Sequence, residues 1–141
     1  MATDGNDFSR SMGIATSGLR AQAARMRVIS ENIANADSTG QTAGGDPYRR
    51  KIPTFSSELD RTLDAKVVTL GRVKPDNSAF RIRYEPNNPA ADIAGNVKYP
   101  NVNSVIEMTD MREAQRSYEA NLNIISATRR MIQRTLDILK A

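Results

Sequence analysis

The sequence predicts a mainly α fold with a small β region: long N- and C-terminal helices pairing as a coiled-coil-like bundle, with a short β-hairpin and loop segment between them. Three observations predict it. All six prolines lie between 47 and 100 and no glycine follows Gly95, so the residues that break helices are confined to the middle. Apolar residues recur every seven positions in both terminal segments, the spacing of a helical seam. In the middle, Phe80, Ile82 and Tyr84 alternate with Arg81 and Arg83, the period of a half-buried strand. The 141 residues divide accordingly into segments 1–40, 41–103 and 104–141.

The first segment is expected to be helical from 8 to 37. Met12, Leu19, Met26 and Ile33 form one line, and Phe8, Ala15, Ile29 and Ala36 the interleaved one, with Gln22 as the polar break. Gly40, after Asp37-Ser38-Thr39, is placed to cap the helix in a left-handed conformation. Such a helix is about 45 Å long. Ile14, Ala21 and Val28 lie off the main line, and Gly18 beside them costs about 1 kcal/mol of helix propensity relative to Ala, a cost that close approach of another backbone would offset.

In the middle segment, Val67-Val68-Thr69-Leu70 is a second strand candidate, and Pro75-Asp76-Asn77-Ser78 is a turn signal between it and the strand around Ile82. The expectation is a hairpin or a three-stranded patch with Val97-Lys98-Tyr99 as the third strand. Ser57 to Lys66 is expected as a short helix through Leu59 and Leu63, with Glu58, Asp60 and Asp64 as solvated surface acids.

The last segment is expected to be helical from 105 to 139, about 50 Å. Ser104 and Glu107 have the spacing of a capping box. Met111, Tyr118, Ile125, Ile132 and Leu139 recur every seven residues, joined by Met108, Leu122 and Leu136 and interrupted by Gln115 and Arg129. At about 100° per residue, Leu122, Ile125, Ile132, Leu136 and Leu139 share one side, while Ala120, Ile124, Ala127, Met131 and Ile138 form a second stripe roughly 130° away. A helix with two apolar stripes is covered by neighbours on two sides. Pairing the terminal helices covers one stripe; the other is covered either by further copies of the chain or by the middle segment folding back. At about 25 cal/mol per Å², leaving it in water forgoes several kcal/mol, and self-assembly is the reading adopted.

Composition narrows the function. The chain has no His and no Cys, so the commonest general base, the usual zinc and haem ligands and any disulfide are missing. No nucleophile elbow or phosphate-binding glycine loop occurs. The expectation is a protein that is not an enzyme and holds no cofactor or metal. A net charge of +4 from 20 basic and 16 acidic residues, with signs interspersed, gives no concentrated patch for nucleic acid. The polar, acidic start has neither the basic nor the apolar region of a signal peptide, and no stretch approaches the length of about 18 apolar residues of a membrane span. Neither cleaved-signal export nor direct membrane insertion is expected.

Several stretches carry a family resemblance. Ser17-Gly18-Leu19-Arg20-Ala21-Gln22 followed by Asn32-Ile33-Ala34-Asn35-Ala36-Asp37 resembles the N-terminal signature of the bacterial flagellar axial proteins of rod and hook, and Arg116-Ser117-Tyr118-Glu119-Ala120-Asn121 resembles their C-terminal signature. Pro47-Tyr48-Arg49-Arg50-Lys51, Tyr84-Glu85-Pro86-Asn87-Asn88-Pro89-Ala90-Ala91-Asp92 and Tyr99-Pro100-Asn101-Val102-Asn103 leading into Glu107-Met108 are similar to the C-type proximal rod subunits of the basal body. The match runs in order along nearly the whole chain. It departs where Asn96 stands in a Gly-Tyr-Val pattern, where Asn88 replaces a His, and at the polar insert Gln41 to Asp46.

The resemblance implies a structural subunit exported unfolded through the flagellar apparatus without a cleaved signal. It would polymerise helically in the periplasmic rod, in a tube that conducts later subunits and transmits torque to the hook. Its partners would be other copies, other rod subunits, the membrane-embedded ring and the export gate. Another axial subunit, or a cytoplasmic helical adaptor or export chaperone, is the alternative. The expected assembly interface comprises Met12, Leu19, Met26, Ile29, Asn32, Ile33 and Asn35 on the first helix. On the last helix it comprises Tyr118, Asn121, Leu122, Ile124, Ile125, Met131, Ile132 and Leu136. Asn32 and Asn35 are either helix-end residues or bonds to neighbouring helices; Asn121 is either a buried register residue or solvated. Arg49, Arg50 and Lys51 are either a solvated loop or a contact to the ring or an adjacent subunit. Arg129 either pairs with an acid such as Glu31 or faces the channel.

Overall fold

The computed structural model describes residues 4–140; residues 1–3 and 141 of the expected terminal segments lie outside it. The order is α1 (Asp4–Ala34), β1 (Lys51–Ile52), β2 (Phe55–Asp60), β3 (Ala65–Leu70), β4 (Lys74–Pro75), β5 (Arg81–Tyr84), β6 (Asn96–Tyr99) and α2 (Ser104–Lys140). The protein is thus mainly helical with a small β region of three antiparallel pairs, β1 with β4, β2 with β3 and β5 with β6.

Both long helices are present, with corrected ends. α1 stops at Ala34, three residues short of Asp37, and Gly40 does not cap it in a left-handed conformation. The exit is instead a tight turn in which Ala36 N donates to Ile33 O and Ser38 N to Asn35 O, while Asn35 Nδ2 satisfies Glu31 O at 2.8 Å. The left-handed glycines are Gly44 and Gly95, at φ 70° and 80°. α2 begins at Ser104, and its N-cap is Asn103, whose Oδ1 accepts from Val105 N at 3.1 Å and Ile106 N at 3.5 Å. The expected Ser104–Glu107 capping box is absent because the Glu107 carboxylate is engaged elsewhere.

The middle segment departs more from expectation. Ser57 to Lys66 is not a helix: β2 and β3 form a hairpin in which Phe55 faces Leu70 and Ser57 faces Val68. The β-branched run Val67-Val68-Thr69 decides this, because it needs a partner strand, and Asp60 Oδ1 nucleates the turn by accepting from Thr62 N and Leu63 N. Asp64 takes φ 47° in that turn, a conformation Asp tolerates. The strands at 65–70 and 81–84 therefore do not pair across Pro75–Ser78. β5 pairs with β6, Arg81 opposite Tyr99 and Arg83 opposite Val97, so the expected third strand is the true partner. Asp76 still makes a turn, its Oδ1 accepting from Ser78 N.

The chain clusters into two compact units, each crossed by both helices. One takes in Met1–Met26, Phe55–Gly71 and Glu113–Ala141; the other takes in Arg27–Thr54 and Arg72–Arg112. In the first, the β2–β3 hairpin is tied to α1: Arg10 donates to Leu63 O and pairs with Asp64 at 2.7 Å, and Ser17 Oγ accepts from Val68 N. Two of the three acids expected to be solvated therefore have structural partners. The hairpin is bonded to α1, and Ile124, Met131 and Ile138 of the second stripe of α2 remain exposed. In the second unit, Ala90, Val97 and Tyr99 form a small buried cluster, with Val102 and Pro100 also buried. Arg81 braces it by donating to Ala36 O and Pro100 O.

Candidate assembly surfaces

In the second unit the sequence-predicted residues of α1 meet the basic loop. Asn32 is 0% exposed and Glu107 1%. Asn32 Nδ2 donates to Lys51 O at 2.8 Å and to Glu107 Oε2 at 3.1 Å; its Oδ1 accepts from the Tyr48 hydroxyl and from Lys51 N, both at 2.9 Å. Every donor and acceptor position of the amide is thereby used. Asn32 holds β1 as a further strand would, through one N–H and one C=O. Burial, with the Glu31 and Glu107 carboxylates nearby, pushes the Tyr48 phenol up to about 12.

The basic cluster separates into three roles. Arg50 Nε donates to Glu107 Oε1 at 2.6 Å, and its Nη1 to Asp76 Oδ2 at 3.4 Å. Burial opposes the Arg50 charge, but these carboxylates outweigh it and raise its pKa. Hydrogen bonds from Ser78, reinforced by Arg50, hold the Asp76 carboxyl below its usual range. Lys51 pairs with Glu31, the acid that the sequence offered to Arg129; Arg129 itself is exposed. Arg49 lies over the Phe80 ring, 4.3 Å from its centre, and donates to Asp76 O. Arg49 and Lys51, with Val28, Glu31, Tyr48, Val73 and Pro75, line an open groove of about 600 Å³.

Of the other α1 residues, Ile29 is buried and Ile33 and Asn35 half-buried. In the first unit Met12, Leu19 and Met26 are only half-buried, whereas Ala15 and Ala21 are buried. Gly18 explains the shift: a Cβ there would lie 2.8 Å from Asn121 Nδ2, so α2 approaches α1 over the small residues rather than over the Met/Leu line. Asn121 Nδ2 also donates to Ser117 O, which makes this side chain a close-packed element within the chain. Arg25 and Glu113, 3.6 Å apart, add an ion pair at the same interface. Gln22 Oε1, on α1, is buried without a hydrogen-bond partner among the described residues.

On α2 the covered line is Ala114, Tyr118, Asn121, Ile125, Thr128 and Ile132, all buried or half-buried. Leu122 and Leu136, assigned from sequence to the main seam, are exposed at its edge. The second stripe is open except at Ala127, which is half-buried: Ala120, Ile124 and Met131 are exposed, and Ile138 retains 76% of its surface. Among the described residues no helix is long and apolar enough to cross a membrane.

Sequence reading missed the hub formed by Asn32, Tyr48, Arg50 and Glu107. The spacing of Ser104 and Glu107 gave Glu107 a local role, and no periodicity marks a bond across 75 residues. It also missed the groove, whose walls come from three separate stretches of chain.

Two family models match the chain: one described as flagella basal body rod protein over residues 12–40, and one described as flagellar basal body rod FlgEFG protein C-terminal over residues 93–138. The flagellar basal-body rod protein FlgC of Agrobacterium fabrum is 54% identical over 134 residues, which cover 95% of this chain and 96% of that protein. The protein of the same name from Aquifex aeolicus is 36% identical over 95% of this chain and 98% of its own length. That of Salmonella typhimurium is 39% identical over 89% and 92% respectively.

Proposed function

The chain belongs to the family of the flagellar basal-body rod protein FlgC, and on that premise we propose that it is a structural, non-catalytic subunit of the proximal rod. It polymerises helically through its terminal segments, 1–40 and 104–141, with coiled-coil-like pairing of α1 and α2. The product is a hollow shaft that transmits torque and conducts exported subunits. Its place is the basal body, reached without a cleaved signal. Its partners are other copies and other rod components, with the membrane-embedded ring and export gate at the base.

The observation that carries this reading is the second stripe of α2. Ile124, Met131 and Ile138 are exposed on a single chain, at a spacing that presents one continuous apolar face. Burying a side chain of this size contributes about 1.5–3 kcal/mol, so a partner along this face gains several kcal/mol. The test is the pair Ile124→Asp and Met131→Asp in a strain that depends on this chain for motility. Both side chains already face water, so the dilute protein should keep its fold, while swimming and recovery of the chain in purified basal bodies are lost. Swimming at the wild-type rate would refute the reading, as would swimming after removal of residues 122–141.

A further inference from the structure

The second unit presents a protruding apolar knob and an open hole. Ile82 and Tyr84 stand two residues apart on one face of β5 and are 66% and 72% exposed; Ile93, in the following loop, is 110% exposed. The loop is held in one shape. Asp92 Oδ1 accepts from Ala94 N at 2.9 Å and Asn96 N at 2.8 Å, Glu85 N donates to Gly95 O at 2.8 Å, and Gly95 takes φ 80°. The Tyr84 ring lies against Gly95, where a Cβ would sit 2.9 Å from Cε2. The ring and Ile93 thus belong to the same ordered turn, and little ordering entropy is lost when they dock.

The hole is the groove of about 600 Å³ floored by Val28, Tyr48, Val73 and Pro75, a volume within the roughly 300–1,000 Å³ that takes a small ligand or a few side chains. Ile93, fully exposed, does not occupy it within its own chain. The charges match. Residues 85–95 contain Glu85 and Asp92 and no Lys or Arg, while Arg81 and Arg83, which flank Ile82, lie on the other face of β5, Arg81 bonded to Ala36 O and Pro100 O and Arg83 over the Tyr99 ring. At the groove, Lys51 is neutralised by Glu31, which leaves Arg49 on the wall, and Arg72 and Lys74 flank Val73.

We propose that Ile93, with Ile82 and Tyr84, docks into the Val28–Tyr48–Val73–Pro75 groove of an adjacent copy of this chain. Every copy carries both halves at different places, so the contact is head-to-tail and passes from copy to copy, as the helical assembly proposed above requires, rather than pairing two copies through one shared patch. This rests on the self-assembly reading above and adds a second contact to it, independent of the terminal helices.

The chain has no cysteine, so a disulfide can be placed without background. Val73→Cys and Ile93→Cys are introduced together, and intact basal bodies are oxidised and run without reductant. Multiples of the 15.5 kDa chain are expected, and none from either single variant. Basal bodies that contain the double variant but give no multiples overturn the proposal, as does an adduct with a different protein. Should the double variant fail to enter basal bodies, Ile93→Asp decides. An unchanged melting curve for the dilute chain with at least tenfold lower incorporation supports the contact, and normal incorporation overturns it. A wild-type chain missing from basal bodies would instead sink the rod assignment itself.

Discussion

Replacing Asn32 with Ala tests whether this residue is a tie within the chain. Asn32 is fully buried and makes four hydrogen bonds, to Tyr48, to both backbone groups of Lys51 and to Glu107. Tyr48 is half-buried and can turn to water. Lys51 N–H and Glu107 Oε2 lose a partner inside the fold, at about 1–3 kcal/mol each. The expected loss is therefore about 3–5 kcal/mol, a large share of the roughly 5–15 kcal/mol that stabilises a domain. With a urea slope of about 1–3 kcal/mol per M, the midpoint should fall by about 2 M. Urea unfolding of dilute protein, followed by circular dichroism and by the fluorescence of the four tyrosines, reads this without any assembly step. Asn32→Asp sharpens the test. It keeps the acceptors for Tyr48 and Lys51 N but sets a carboxylate against Glu107, so near neutral pH it should be at least as damaging as Ala. A loss below about 0.5 kcal/mol for Ala, the scale of an ordinary surface change, would refute the reasoning, as would an Asp variant milder than Ala.

The two left-handed glycines should differ in cost. Gly44→Ala meets only ordinary contact, 3.6 Å from Asp92 Cβ, whereas Gly95→Ala runs into Tyr84 Cε2 at 2.9 Å and Pro86 Cβ at 3.2 Å. Left-handed backbone alone costs about 1–2 kcal/mol, and the crowding at Gly95 should add to it; equal melting temperatures for the two variants would contradict the close packing. Tyr48 predicts an alkaline transition. Its folded pKa, pushed up to about 12 from 10, favours the protonated phenol in the folded state. The stabilisation is complete below about pH 10 and lost as pH rises through 12. The stability gap between wild type and Tyr48→Phe should narrow between pH 10 and 12, and a constant gap would disprove the burial.

The sequence alone determined the features that depend on local spacing. Two long helices follow from proline and glycine confined to the middle and from apolar residues at seven-residue intervals. The strands at Ile82 and Val97 follow from alternation, and the second stripe of α2 from simple helical arithmetic. The ordered motifs also carried the family. Tertiary structure alone decided which face of α1 is buried, because close approach at Gly18 draws α2 over Ala21 rather than over Leu19. It decided that Ser57 to Asp60 is extended, because Val67 to Leu70 needs a partner strand more than Leu59 and Leu63 need a helix. It also took Glu107 from its local cap and joined it to Asn32 and Arg50. Such a hub consists of bonds between residues far apart in the chain, chosen by which buried polar groups must satisfy one another, and that requirement leaves no periodic trace in sequence.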